Sequence, residues 1–410
     1  MAGLELPDFR ALDHVCKPSP KGWMVDQSKT NWPLVWLLWA AGIGAAAQYG
    51  KISVIFDQLP RVYPDAGASL GFAVSLVGFL GILLGVVAGV LVARIGYRRA
   101  LIWALCLGSL MSFLQSSFPP LPLFLATRVI EGGAHLAIVV AAPTLISQIT
   151  LPKHHGFALT LWGTFFGVAF AVLAWAGLPF AAACGLQALM LAHAIYMALM
   201  AGALWYFLSV RQIVPTSALN VSDLVAAHIC LYRSPSIGAP ALGWLFYTIS
   251  FVAVLTVLPP FISPVWRLFV IGAIPLMSIV FSLTVGVYLL RFFPAVGVIF
   301  LGFVLCTVCA LGLVAMPGAP IVALALGASL GLVQGASFAA VPELNTRIED
   351  RALANGGLAQ MGNLGNTIGT PLMVGTLGHF GYFGMMVALC VTFLGGACIH
   401  FLLYKRRMSK

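Results

Sequence analysis

Apolar residues run along this chain in long blocks, without the one-face-in-three rhythm of a surface helix or the alternation of a half-buried strand. Twelve such runs fall at 33–58, 68–93, 99–117, 121–150, 156–178, 182–210, 238–260, 265–290, 293–315, 319–346, 353–378 and 381–404. Crossing about 30 Å of hydrocarbon takes roughly 20 mostly apolar residues in a helix, so each run predicts one span. The ten-residue alternation of an outer-membrane barrel strand is absent. The pattern predicts an all-α polytopic membrane protein with 12 transmembrane helices.

Composition agrees: 61% of the 410 residues are hydrophobic and 8% charged, which leaves too much apolar surface for a water-soluble core to enclose. The first thirty residues are mixed polar, with Pro7, Pro18 and Pro20 and no apolar h-region, so no signal peptide is expected to be cleaved and the first span stays. The net charge of +10 invites a nucleic-acid reading until the cations are placed. With the N-terminus inside, seventeen of the 21 Lys and Arg fall on the cytoplasmic side; Arg61 and Arg267 fall outside, and Lys51 and Arg128 lie within spans. The excess of Lys and Arg in cytoplasmic loops sets topology, so both termini are predicted to be cytoplasmic, and no nucleic-acid partner is expected. The eight cysteines are scattered apart from Cys306 and Cys309, giving neither a disulfide framework nor a ribbon-type zinc site. That pair reads as packing within span 9.

The longest internal loop follows span 6. It divides the chain into a cytoplasmic tail (1–32), a six-helix half (33–210), a cytoplasmic linker (211–237), a second six-helix half (238–404) and a short tail (405–410). In the linker, Ser222-Asp223 before a mostly apolar stretch predicts a helix on the inner membrane face. The halves echo each other. Gly89 to Arg94 closes span 2 and Gly286 to Arg291 closes span 8 with the same spacing, while EGGAHLAIVVAAP in span 4 matches QGASFAAVP in span 10. Two related halves are the design of many secondary transporters.

GVLVARIGYRR, residues 89 to 99, resembles the loop signature between spans 2 and 3 of the major facilitator superfamily, through Gly89, Leu91, Arg94, Gly96, Arg98 and Arg99. The family's R-x-x-x-G of span 4 is matched by Arg128 and Gly132. The resemblance covers nearly the whole chain and implies two pseudo-symmetric halves moving by alternating access, with the loop latching the outward-open state by charge pairing. Ala93 stands where the signature has aspartate, which weakens that latch. At the inner end of span 10, Glu343 and Arg347 stand where Glu343 could pair with Arg291, or with Arg94 across the interface, as a gate; the plainer reading is a solvated carboxylate.

An ionisable residue inside a span costs roughly 2.5–3.5 kcal/mol on insertion scales and asks for a partner or a role. Arg128, Glu131 and His135 share one face of span 4, and Lys51 in span 1 is placed to join them around the central cavity that the resemblance implies. Lys51, Arg128 and Glu131 carry a surplus of one positive charge, suited to an anion, and a buried Glu beside a His is suited to carry a proton. The alternative is an Arg128/Glu131 pair that only fixes span 4, with Lys51 snorkelling to the outer surface. The second half offers uncharged groups instead, Gln334 in span 10 and Gln360, Asn363 and Asn366 in span 11, facing either a substrate or a neighbouring helix. Trp36, Trp39, Tyr49, Trp162, Trp244 and Tyr247 are further candidates for lining the cavity or for packing.

The leading expectation is a secondary transporter, not an enzyme, moving a small solute, most simply an anion, by proton-coupled uptake across a bacterial cytoplasmic (inner) membrane, as a monomer without cofactor. Span 5 lacks the Gly-Pro signature common in drug/proton exchangers of this superfamily, which weighs against a drug or metabolite exporter. A transition-metal reading rests on His193, Met197 and Met200 on one face of span 6, ligands suited to Cu(I). A non-transporting assembly factor is the remaining alternative. No phosphate loop or nucleophile elbow is present, so energy must come from a gradient.

Overall fold

The computed structural model describes residues 29–209 and 228–409. Among them, nine helical segments are long and apolar enough to cross a membrane, and no strand occurs. The tail before residue 29 and most of the linker, including Arg211 and the capping pair Ser222-Asp223, lie outside the described residues.

The long helices are α1 (Trp32–Ser53), α2 (Phe79–Ile95), α3 (Tyr97–Gln115), α4 (Leu121–Ile149), α5 (Pro152–Gly163), α6 (Phe165–Val172), α7 (Leu178–Cys184), α8 (Leu186–Phe207), α9 (Gly238–Val257), α10 (Pro264–Phe281), α11 (Ala295–Ala315), α12 (Pro320–Leu344) and α13 (Ile348–Met408). Asn31 starts α1 by accepting the Leu34 N–H at 3.2 Å. The helix ends at Ser53, five residues short of the predicted run, and Asp57 lies exposed in the 3₁₀ turn Phe56–Gln58. The stretch before α2 alternates 3₁₀ and α turns over Gly67–Gly78. This irregular stretch holds the carbonyls of Ala73 and Val74 that matter below.

Fifth and eighth spans are also irregular. The fifth breaks at Thr164, whose hydroxyl accepts the Trp39 indole N–H at 3.1 Å, passes through a π turn at Leu173–Gly177 and continues to Cys184, beyond the predicted 178. The eighth carries a π turn at Ser282–Gly286 after α10. Tight turns set the remaining boundaries. Gly96, Gly185 and Gly381 have φ of 92°, 94° and 65°, where a side chain is strained; Gly96 joins α2 to α3, Gly185 joins α7 to α8, and Gly381 kinks α13. Replacing Gly96 by Ala is expected to cost roughly 1–2 kcal/mol, read as a lower melting temperature in detergent.

Small residues bring the helices together, since lipid supplies no hydrophobic drive between them. Gly132 of α4 lies against the Val77 carbonyl, as Gly327 and Gly331 of α12 lie against the Ile274 and Ser278 carbonyls. This matched packing, with Pro143 inside α4 and Pro342 inside α12, makes the echo between the halves structural. Between the halves, Ser53 and Thr256 share a hydrogen bond of 2.7 Å, the Trp175 indole donates to the Leu268 carbonyl at 3.1 Å, and the glycines before and within α2 face α13.

Candidate functional site

The first half holds a charged cluster sealed from solvent. Lys51, Arg128 and Glu131 are fully buried. Lys51 Nζ donates to Ser112 Oγ at 2.6 Å and to Glu131 Oε1 at 2.7 Å, and stands 3.4 Å from His193 Nδ1. Glu131 Oε2 accepts from Arg128 Nη1 and, at 2.8 Å, from the Gln115 amide. Arg128 spends its other donors on backbone: Nε on the Ala73 carbonyl at 2.7 Å, Nη2 on Gln48 at 2.6 Å and on Val74 at 3.3 Å. One side chain thus ties α4 to α1 and to the irregular start of the second span.

Each member is placed by its position along a helix. Lys51 is in the last turn of α1, Ser112 and Gln115 in the last turn of α3, and Arg128 and His193 in the second or third turn of α4 and α8, about 10 Å from their starts. The cluster therefore sits near the end of the bundle where α1 and α3 finish and α4 and α8 begin. Lys51 does not snorkel: its ammonium turns inward because three acceptors lie within reach there.

The two histidines have defined roles from their partners. His193 Nε2 lies 2.9 Å from the Gly44 carbonyl, so Nε2 carries the proton and Nδ1 accepts from Ser112 Oγ at 2.7 Å. His135 shares a helix face with Glu131 but hydrogen-bonds elsewhere, giving Nδ1–H to the Ala45 carbonyl at 3.0 Å with its ring edge-on to Tyr49. Ser112, Gln115 and Thr127 escaped sequence reading, although the i, i+3 spacing of Ser112 and Gln115 in an apolar run was the available signal. His193, the candidate of the alternative soft-metal reading with Met197 and Met200, has both ring nitrogens engaged, while Met197 packs on Gly44 and Gly108.

The uncharged groups of the second half separate into two sets. Gln334 accepts from Ser278 at 3.1 Å and from Tyr247 at 3.4 Å, beside an aromatic run in which Trp244 stacks on Tyr247 and Tyr247 on Phe251, with centroids 4.3 and 5.3 Å apart. Phe166 continues that run to Tyr49 in the first half. The α13 stripe is instead a seam. Gln360 accepts from Tyr232 at 2.7 Å and donates to the Ile82 carbonyl, and Asn363 lies against Gly78 and Gly81. Asn366 stands beside the Tyr49 hydroxyl, which closes no hydrogen bond of good geometry.

A sequence profile described as Major Facilitator Superfamily matches residues 38–346. The chain belongs to that superfamily. Among solved structures, the crystal structure of a D-xylose-proton symporter is similar, with a TM-score of 0.72 at 16% identity over 91% of this chain and 97% of that one. At that identity the likeness concerns the fold. No curated protein matches in sequence.

As a superfamily member the protein is a multi-pass membrane transporter, and its signature loop can be read accordingly. Gly89 falls on α2 and Gly96 makes the turn. Arg98 gives its Nε to the Leu208 carbonyl and Nη2 to the Trp205 carbonyl at 2.7 Å, a cation on the open C-terminus of α8. Arg94 also has an interaction, and Arg99 is exposed on the first turn of α3. The expected pairing of Glu343 with Arg291 is corrected: both Glu343 oxygens accept the backbone N–H of Ala295, at 3.1 and 2.9 Å, and Arg291 is exposed. A carboxylate is drawn there because Ala295 opens α11 with unsatisfied N–H groups and the positive end of its dipole. Arg347, just before α13, has a contact of its own.

Proposed function

We propose that this protein takes up a small anion together with a proton across the cytoplasmic membrane, through twelve spans with both termini inside, by alternating access of the halves 33–210 and 238–404. The observation that carries the reading is the surplus positive charge of Lys51, Arg128 and Glu131 in a core closed to water. At 10 Å and an effective dielectric of about 20, one unpaired charge attracts an anion by roughly 1.7 kcal/mol. The substrate would lie along the aromatic run from Tyr49 to Trp244, with Gln334 and Asn366 as polar contacts. With the seventeen-to-two charge bias fixing orientation, the cluster lies toward the outer face, where an uptake system meets its proton.

A second reading, an uncharged polyhydroxy solute, is favoured by the stacked Trp244 and Tyr247 beside the Gln334 amide and by the D-xylose carried by the similar structure. Thermal stabilisation of the purified protein separates the two, because a ligand of the folded state raises the melting temperature. Organic and inorganic anions are expected to stabilise the wild type, and Lys51→Met, which leaves a neutral Arg128/Glu131 pair, is expected to abolish the shift. An anion shift that survives in Lys51→Met removes the charge argument, and a shift confined to sugars establishes the second reading.

A further inference from the structure

We infer that Lys51, rather than Glu131, carries the proton that is coupled to transport, an inference that rests on the proton-coupled reading above. The argument is one of elimination within the cluster. Lys51 meets Ser112 on α3, Glu131 on α4 and His193 on α8 directly, and Gln115 and Arg128 meet the same Glu131 carboxylate; His135 lies on the Ala45 carbonyl, and Tyr49, two residues from Lys51, projects from another face of α1. With Lys51 protonated, this set carries two cations and one carboxylate in a site without solvent contact, where uncompensated charge is costly.

Only one group can shed that surplus. The guanidinium of Arg128 does not deprotonate in proteins. His193 gives Nε2–H to the Gly44 carbonyl and accepts the Ser112 hydroxyl at Nδ1, so it holds no extra proton, and His135 hydrogen-bonds to the Ala45 carbonyl and to no member of the charged cluster. Glu131 has no proton to lose, and gaining one would raise the charge to two while removing an acceptor from Lys51, Gln115 or Arg128. Lys51 can lose a proton with little rearrangement. A neutral amine keeps two N–H donors, for Glu131 Oε1 and one further acceptor, and its new lone pair can accept the Ser112 hydroxyl proton now given to His193.

The proton can leave on water. Gln115 is the last residue of α3, and its Oε1 is buried without a partner; both polar atoms of the Gln48 side chain, one turn before Lys51, are likewise unpartnered. Water admitted at this end of the bundle as the half opens would find acceptors and donors there, take the proton from Nζ as hydronium, and leave the cluster neutral. Protonated, the cluster attracts the anion; deprotonated, it does not. One proton therefore sets the affinity for one negative charge, which is the linkage a symporter needs.

Reconstituted vesicles test this. Under a gradient of one pH unit, one-to-one coupling supports roughly tenfold accumulation of the anion that stabilises the protein. In Lys51→Arg, a cation that cannot be deprotonated, the ratio of proton-driven accumulation to counterflow is expected to fall to that without a gradient. Proton-driven accumulation retained in Lys51→Arg overturns the assignment. No accumulation by the wild type, in contrast, overturns the proton-coupled reading itself. Because arginine is bulky for a closed site, infrared difference spectra of the wild type across the same pH interval provide a second measurement. An ammonium band that titrates with no new protonated-carboxyl band is expected, and a carboxyl band shifted by labelled glutamate assigns the proton to Glu131 instead.

Discussion

Glu131→Gln is expected to be the most destabilising single change in the cluster, by about 3–5 kcal/mol, because it strips the counter-charge from two buried cations. The carboxylate is central: it accepts from Lys51 and Gln115 at 2.7 and 2.8 Å and from Arg128, so its loss affects α1, α3 and α4 together. The amide that replaces it also points an N–H₂ at a cation, whichever way it is turned. Adding Lys51→Met to Glu131→Gln returns the cluster to its wild-type net charge, and that second change is expected to recover about 1–3 kcal/mol. Melting temperatures of the four proteins of this cycle in detergent give the coupling directly. If the single and double variants melt together, the charges are screened from one another and the cluster is a set of hydrogen bonds only.

That pair shows where sequence reading stops. Arg128 and Glu131 are three residues apart on one helix, so their contact follows from helical geometry alone. The inward turn of Lys51 does not follow, because its acceptors Ser112 and His193 lie 61 and 142 residues away and only the packing of α3 and α8 against α1 brings them in. The all-helical, multi-span character was readable because hydrophobic length is a local property, and nine of the helical segments among the described residues are long and apolar enough to span. The breaks were not readable: the alternating 3₁₀ and α turns before α2 and the π turns in the fifth and eighth spans sit inside unbroken apolar sequence, and the α turn Gly71–Ser75 between the 3₁₀ turns carries the carbonyls that hold Arg128. The gating pair considered for Glu343 missed a nearer partner for a related reason, while its exposure agrees with the solvated alternative. Its charge was weighed against other side chains, while the free N–H of α11 was the nearer partner. The polar stripe of α13 was visible as a pattern, but its opposing surface, the glycines at 71, 78, 81 and 85, is contributed by the other half of the chain.

Those glycines support the second large effect, a transporter that folds but does not turn over. A Cβ at Gly78 would stand 2.4 Å from Thr367 Oγ1 and 2.7 Å from the Asn363 carbonyl, and one at Gly71 would stand 2.7 Å from Pro371 Cα. Two of these three neighbours are backbone and cannot swing aside. Gly78→Ala is therefore expected to penalise this arrangement of the halves by about 1–3 kcal/mol of overpacking, while the arrangement that parts α2 from α13 is unaffected. A penalty on one state alone shifts the balance about 5- to 150-fold, and counterflow should slow in proportion because every cycle passes through both states. Melting temperature should change little, since the protein can populate the parted arrangement. Gly375→Ala on the same helix α13, where a Cβ meets nothing within 4 Å, controls for helix propensity and should transport at the wild-type rate. Equal counterflow in Gly78→Ala and Gly375→Ala would mean that the contact between α2 and α13 yields at little cost, and that the alternation depends on the other seams, Ser53 with Thr256 and Trp175 with Leu268.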